Sequence, residues 1–263
     1  MFFSSTNPLK SIRRPRASIK FCSLGIILLT LPLQYVPIDS DSSETNISLS
    51  GGTGSYGVVS RGCEGQVLEK HKINFSELGG SLDHKFAGAP LRIGVRSAYV
   101  NDRVLVDDIN ASGVAVTQSR RENILTINPF LNLEGKTVAA GIGYFYADHS
   151  LAGTDDVTRI NPRISGYFRI GDRRKTYWST SYLSTPAFYS QGYFQTGLGF
   201  GQDPKFDFWL GMSVAPYDKV GFLAKTAIRL NRQLYLNLNG RFGSSAEIFE
   251  HGVNVGLSYR ILK

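Results

Sequence analysis

The 263-residue chain is 42% hydrophobic and 19% charged, which excludes both a disordered polymer and a bundle of transmembrane helices. Its 28 glycines, 13 tyrosines and 16 phenylalanines favour sheets with close backbone approach and large apolar faces over helices. The net charge is +8, but the arginines of the apolar-alternating stretches are spread singly, without the module that nucleic-acid binding requires.

The N-terminus reads as a targeting segment. Lys10, Arg13, Arg14, Arg16 and Lys20 precede an apolar run over residues 21–36. That run is short for a membrane-spanning helix and suits the core of a secretory signal peptide. Pro15, rather than an apolar residue, follows the Arg13-Arg14 pair, which favours the general secretory route over a twin-arginine one. Residues 1–44 are assigned to a signal peptide and short polar leader, and 45–263 to one folded domain. Cys22 lacks the Leu-small-small context of a lipidation site, and Cys63 stands alone. No Cys/His spacing suggests a metal, so neither metal nor cofactor is expected.

Twelve strands are expected, near residues 47–60, 72–87, 90–100, 123–133, 136–148, 158–171, 175–187, 190–201, 204–215, 218–230, 233–243 and 251–262. The period of two is clearest over 205–263, where Phe206, Phe208, Leu210 and Met212 alternate with Asp207, Trp209, Gly211 and Ser213. The first two strands are weakened by Gly51, Gly52, Gly54 and Gly57 and by Gly79-Gly80. Short turns are expected at 88–89, 134–135, 172–174, 202–203 and 231–232, and the longest connection at 101–122. Short and long connections largely alternate, as in hairpins tied close to one side of a membrane and free on the other.

Three features turn the apolar face outward. The strands are longer than those of soluble sheets. The opposite face is Gly, Ser, Asn, Thr and Arg rather than a dense Lys/Glu coat. Aromatics recur towards strand ends on the apolar face, at Tyr99, Tyr146, Phe168, Trp178, Phe200, Phe206, Phe242 and Tyr259, as interfacial girdles require. A sheet in lipid must close on itself, because unpaired edges are too costly there. The fold class is therefore all-β: a closed, antiparallel transmembrane β-barrel in up-and-down meander order, with about 12 strands (range 8–12).

On these residues the chain resembles bacterial outer-membrane β-barrel proteins, a porin-like class, over about residues 47–263. The resemblance implies export through the signal peptide, residence in outer-membrane lipid and delivery by the barrel-insertion machinery. Such proteins usually finish on a C-terminal aromatic, whereas Tyr259 here is followed by Arg260-Ile261-Leu262-Lys263.

With the apolar face outside, the lumen receives Lys85, Arg92, Arg96, Arg163, Arg169, Lys225, Arg229, Arg241 and Arg260 against Glu77, Asp83 and Asp207. Such an excess of cations favours a porin-like channel for small, preferentially anionic solutes. A second reading has the arginines pair with acids and fill a narrow interior. Residues 101–122 would then serve as a plug, with Asp107 and Asp108 meeting the arginines. A third reading, an outer-rim lipid-modifying hydrolase, rests on Asp148-His149-Ser150 and Asp155-Asp156 in an external loop. No nucleophile elbow or oxyanion signature accompanies that run.

Overall fold

The structure is a computed structural model that describes residues 42–61, 63, 65, 67–109, 115–151, 157–185, 187–202, 205–216, 219–244 and 249–262. Residues 1–41, most of the expected signal peptide and leader over 1–44, lie outside the described residues, as does the Asp155-Asp156 pair.

In chain order the strands are β1 (Glu44–Arg61), β2 (Val67–Lys85), β3 (Leu91–Ile109), β4 (Ala115–Glu134), β5 (Val138–Leu151) and β6 (Val157–Gly171). They continue with β7 (Thr176–Tyr182), a one-turn helix α1 (Phe188–Gln191), β8 (Phe194–Gln202) and β9 (Phe206–Ala215). The last three are β10 (Lys219–Arg229), β11 (Leu234–Ser244) and β12 (Phe249–Leu262). Each strand pairs antiparallel with the next, and β1 pairs with β12 from Glu44↔Leu262 to Ser55↔His251. The sheet is a closed twelve-stranded meander.

The alternation seen in the sequence sets the two faces. Along β4, Glu122, Ile124, Thr126 and Asn128 are buried in the lumen, while Leu125, Ile127, Leu131 and Leu133 are exposed outside. The same rule leaves Leu49, Ile142, Ile164, Leu198, Met212, Phe222 and Leu257 exposed around the wall, Ile164 to 65%. A continuous apolar band of this kind finds its partner in lipid rather than water. This is a transmembrane β-barrel. Among the described residues no helix is long and apolar enough to cross a membrane.

The band ends where the outer face turns polar. Asn101 donates to Asn123 at 2.6 Å across β3 and β4, and Arg103 to Ser119 at 3.2 Å. Strand residues beyond that level stand outside the hydrocarbon. The wall is also uneven: β3 has 19 residues and β4 has 20, whereas β7 has 7 and β8 has 9. At about 3.3 Å per residue the taller strands run roughly 60 Å and the shortest under 30 Å.

Two expectations need correction. Residues 101–109 and 115–122 are not a loop folded into the lumen: the β3–β4 ladder continues through Asn101↔Asn123 and Arg103↔Arg121 to Ile109↔Ala115. The outer face turns polar there, at Asn101, Arg103 and Asn123, so the apolar alternation stops while the ladder goes on, with Val104 still buried inside. Secondly, the expected strands at 175–187 and 190–201 are shorter. β7 ends at Tyr182 and β8 starts at Phe194, and between them Leu183, Tyr189 and Tyr193 pack into the lumen. Left-handed backbone at both ends allows the turn, with φ of 50° at Leu183 and 86° at Gly192.

Candidate functional site in the lumen

Below the inward-folded segment lies a polar hollow of about 470 Å³, reaching from Ser184 and Thr185 at its roof to the short-turn ends of the strands. The floor is an ionic network. Arg92 on β3 donates from Nε to Glu134 at 3.0 Å, from Nη2 to Glu44 at 3.0 Å and from Nη1 to Asp83. Arg260 lies 3.6 Å from the same Glu44 oxygen and stacks 4.6 Å over the Tyr235 ring. Across the hollow, Arg173 and the Tyr177 hydroxyl donate to the two oxygens of Asp207 at 2.9 and 3.0 Å.

Two further cations reach the upper part of the hollow. Arg96 donates to the Ser184 carbonyl at 2.8 Å, and its guanidinium lies 3.7 Å from the centre of the Phe130 ring. Lys225 on β10 donates to the Gln195 side-chain carbonyl and lies 5.2 Å from the Trp209 ring centre. Gln195 in turn donates to the Gly192 carbonyl at 3.0 Å. Both cations are thus tied to the inward segment, one at each end.

Of the nine basic residues expected in the lumen, Arg92, Arg96, Lys225 and Arg260 line the hollow, and Lys85, the last residue of β2, is not among its lining residues. The other four are placed elsewhere. Arg169 is buried and clamps a turn, donating to the carbonyls of Gly135, Lys136 and Gly171. Arg229 caps the β10–β11 turn through the Asn231 carbonyl at 2.8 Å. Arg241 is buried against Ser213 and the Lys219 carbonyl, with Glu250 at 3.8 Å. Arg163 is exposed, opposite Phe145 in the β5–β6 register.

The sequence reading missed most of the acids. Glu44, Glu134 and Glu250 sit at strand ends just beyond the expected boundaries, and Asp102 and Glu122 fall inside the stretch read as a loop. Residues adjoining a confident strand at the same parity were the available signal.

The inward segment fills the upper lumen. Leu183 and Tyr189 join Ile73, Phe75, Val100, Val104, Ile124, Phe145 and Ala147 in one buried apolar cluster. Ser190 on α1 donates to Glu77, which also accepts from Asn254 at 3.1 Å. The Tyr189 hydroxyl donates to Asp102 at 3.1 Å. Gly252 admits α1: a Cβ there would stand 2.7 Å from the Ser190 Cα, and backbone cannot give way as a side-chain tip does. Asp102 lies above the apolar band. Burial and the neighbouring Glu122 push its carboxyl up to about 6, against the pull of Tyr189, His149 and Arg120.

Glu122 accepts from His149 at 2.9 Å and forms an ion pair with Arg120 at 2.6 Å. Asp148, His149 and Ser150 belong to β5 rather than a loop, so successive side chains take opposite faces. His149 faces the lumen opposite Ile124, and Ser150 faces outward opposite Asn123. Asp148 is held outside by the Tyr146 hydroxyl at 2.8 Å. The run therefore brings no histidine to its serine. Among the described residues no group of three or more His, Cys, Asp or Glu could hold a metal ion.

No protein-family model and no curated protein matches the chain. Solved structures similar to it are bacterial barrels. The transport unit of the autotransporter AIDA-I from Escherichia coli is 10% identical, with a TM-score of 0.42, covering 90% of this chain and 94% of its own. The outer membrane protease OmpT from Escherichia coli is 11% identical, with a TM-score of 0.39, covering 87% and 99%. The translocator domain of the autotransporter NalP from Neisseria meningitidis is 10% identical, with a TM-score of 0.36, covering 84% and 88%.

Proposed function

We propose that this barrel is a porin-like channel of the bacterial outer membrane, passing small, preferentially anionic solutes, with residues 183–193 closing its outer end. The observation that carries the reading is the unevenly neutralised hollow. Its four carboxylates, Glu44, Asp83, Glu134 and Asp207, are engaged by Arg92, Arg260 and Arg173, whereas Arg96 and Lys225 face it with neutral partners. A surplus of fixed cations lowers the entry barrier for anions and raises it for cations. The short-turn end, where Glu44 and Leu262 meet, is read as periplasmic, and the taller hairpins as external. The charged and apolar pattern of residues 1–36 supports export through a signal peptide.

A filled, purely structural barrel is the second reading, favoured by the apolar cluster around Tyr189. Planar-bilayer recordings separate the two. The wild type is expected to be closed for most of the time, with brief anion-selective openings. Replacing residues 184–192 by a short Gly/Ser linker is expected to give long-lived, anion-selective pores. A correctly folded linker variant that carries no current, or a cation-selective one, would sink the channel reading.

A further inference from the structure

We infer that the roof of the hollow is a discrete binding site for a small oxyanion, a solute bearing a carboxylate or phosphate group, held between Arg96 and Lys225. The inference deepens the channel reading and rests on it for its biological sense, although the site itself is a property of the closed barrel.

The argument starts from charge. A cation withdrawn from water is stable only with hydrogen bonds and, ordinarily, a counter-charge. Arg96 has the Ser184 carbonyl, Asn128 at 3.5 Å and the face of Phe130. Lys225 has the Gln195 carbonyl and the face of Trp209. All of these partners are neutral. Among the described residues no carboxylate lies within ion-pair distance of either cation; the more distant Asp83 and Glu134 attract Arg96, whereas Lys225 feels the repulsion of Arg96. An anion between them would relieve that repulsion and supply a counter-charge in direct contact with both.

The chemistry around the pair suits an oxyanion rather than a halide. Thr185 and Ser181 line the same space and bring hydroxyl donors. Ser179 accepts a hydrogen bond from the Trp209 indole at 3.0 Å, which leaves its own hydroxyl hydrogen to donate. A planar guanidinium beside an ammonium and several hydroxyls offers directed donors to two or three oxygens. The cavity, about 470 Å³, holds a small metabolite and has no room for a polymer.

The test uses the whole protein in detergent micelles, titrated calorimetrically with inorganic phosphate and, separately, succinate, with glycerol as a neutral control. Saturable binding of either anion, and none of glycerol, is expected, and comparing the two separates phosphate from carboxylate preference. Arg96→Gln and Lys225→Gln should each weaken binding at least tenfold. Arg229→Gln, a cation outside the hollow, should leave it unchanged. Variants are accepted only if they keep the boiling-dependent gel mobility of the wild type. If either variant fails that check, the wild-type titration decides alone: no saturable binding of phosphate or succinate up to tens of millimolar overturns the inference. Binding that survives both substitutions also overturns it. Conductance is recorded on the same preparations. Saturable binding without current would leave the site standing and remove the channel reading. Anion-selective current without binding would do the reverse.

Discussion

Arg92 offers the sharpest quantitative test of how the barrel floor is held. Its guanidinium touches Glu44, Asp83 and Glu134, carboxylates from three different strands, and it is only 14% exposed. Arg92→Ala would leave those three acids facing one another without their shared cation. Removing one partner of a buried pair costs about 3–5 kcal/mol, chiefly because the remaining charge is uncompensated. Here water reaches Glu134, which is 27% exposed, and Arg260 remains 3.6 Å from Glu44, so part of the loss is recovered. The expected net loss is about 3 kcal/mol, read from urea unfolding in micelles and from the temperature at which the folded gel band disappears. Arg92→Lys keeps the charge but loses the three-way fork, and should fall between the two. Neutralising all three acids together with Arg92, as R92Q/E44Q/D83N/E134Q, should restore most of the loss. A loss under about 1 kcal/mol in R92A, the scale of an exposed ion pair, would refute the reasoning. So would a neutralised variant as unstable as R92A itself.

Two further substitutions address the inward segment. Gly252→Ala places a methyl 2.7 Å from the Ser190 Cα, so α1 must move; we expect a higher open probability in bilayer recordings with a barrel melting temperature close to wild type. An unchanged open probability would mean that α1 does not close the path. Asp102→Asn tests pH dependence. With its carboxyl at about 6 in the closed state, against about 3.9 when free, Asp102 favours closure at acid pH and loses that contribution as pH rises through 6. Two pH units correspond to at most roughly 3 kcal/mol, so wild-type openings should become more frequent between pH 5 and pH 7.5. In D102N that component should vanish. His149 faces the same cluster through Glu122, and the difference between wild type and D102N isolates the aspartate from it. Identical pH profiles would assign the effect elsewhere.

The barrel itself was legible because lipid imposes a period of two that no other selection blurs: Phe206 to Val214 and Val253 to Ile261 read as wall from their side chains alone. The candidate site was legible only in part. Glu44, Glu134 and Glu250 lie one to three residues beyond where apolar alternation stops, since strand ends need no lipid-facing residue. The β3–β4 extension escaped for the same reason: its outer face turns polar at Asn101. The inward segment was hidden differently. Phe188, Tyr189 and Tyr193 look like strand residues, yet their stretch leaves the wall because Leu183 and Gly192 take left-handed backbone. The β1 glycines, read as weaknesses, make room instead: a Cβ on Gly54 would lie 2.6 Å from the Phe75 ring.

The β1–β12 seam makes the barrel topologically a ring with one missing link. Glu44 and Leu262 are opposed in register and lie at the same end as the short turns. No strand is special to closure, so a chain with those ends joined and reopened at the turn near Gly88 would trace the same hydrogen-bond ladder in a different order. Conversely, a chain that stops before β12 presents two long unpaired edges rather than a slightly smaller barrel, and lipid tolerates neither. Cyclic permutants should therefore assemble where truncations do not, which sets this architecture apart from an open sheet that can lose an edge strand and survive.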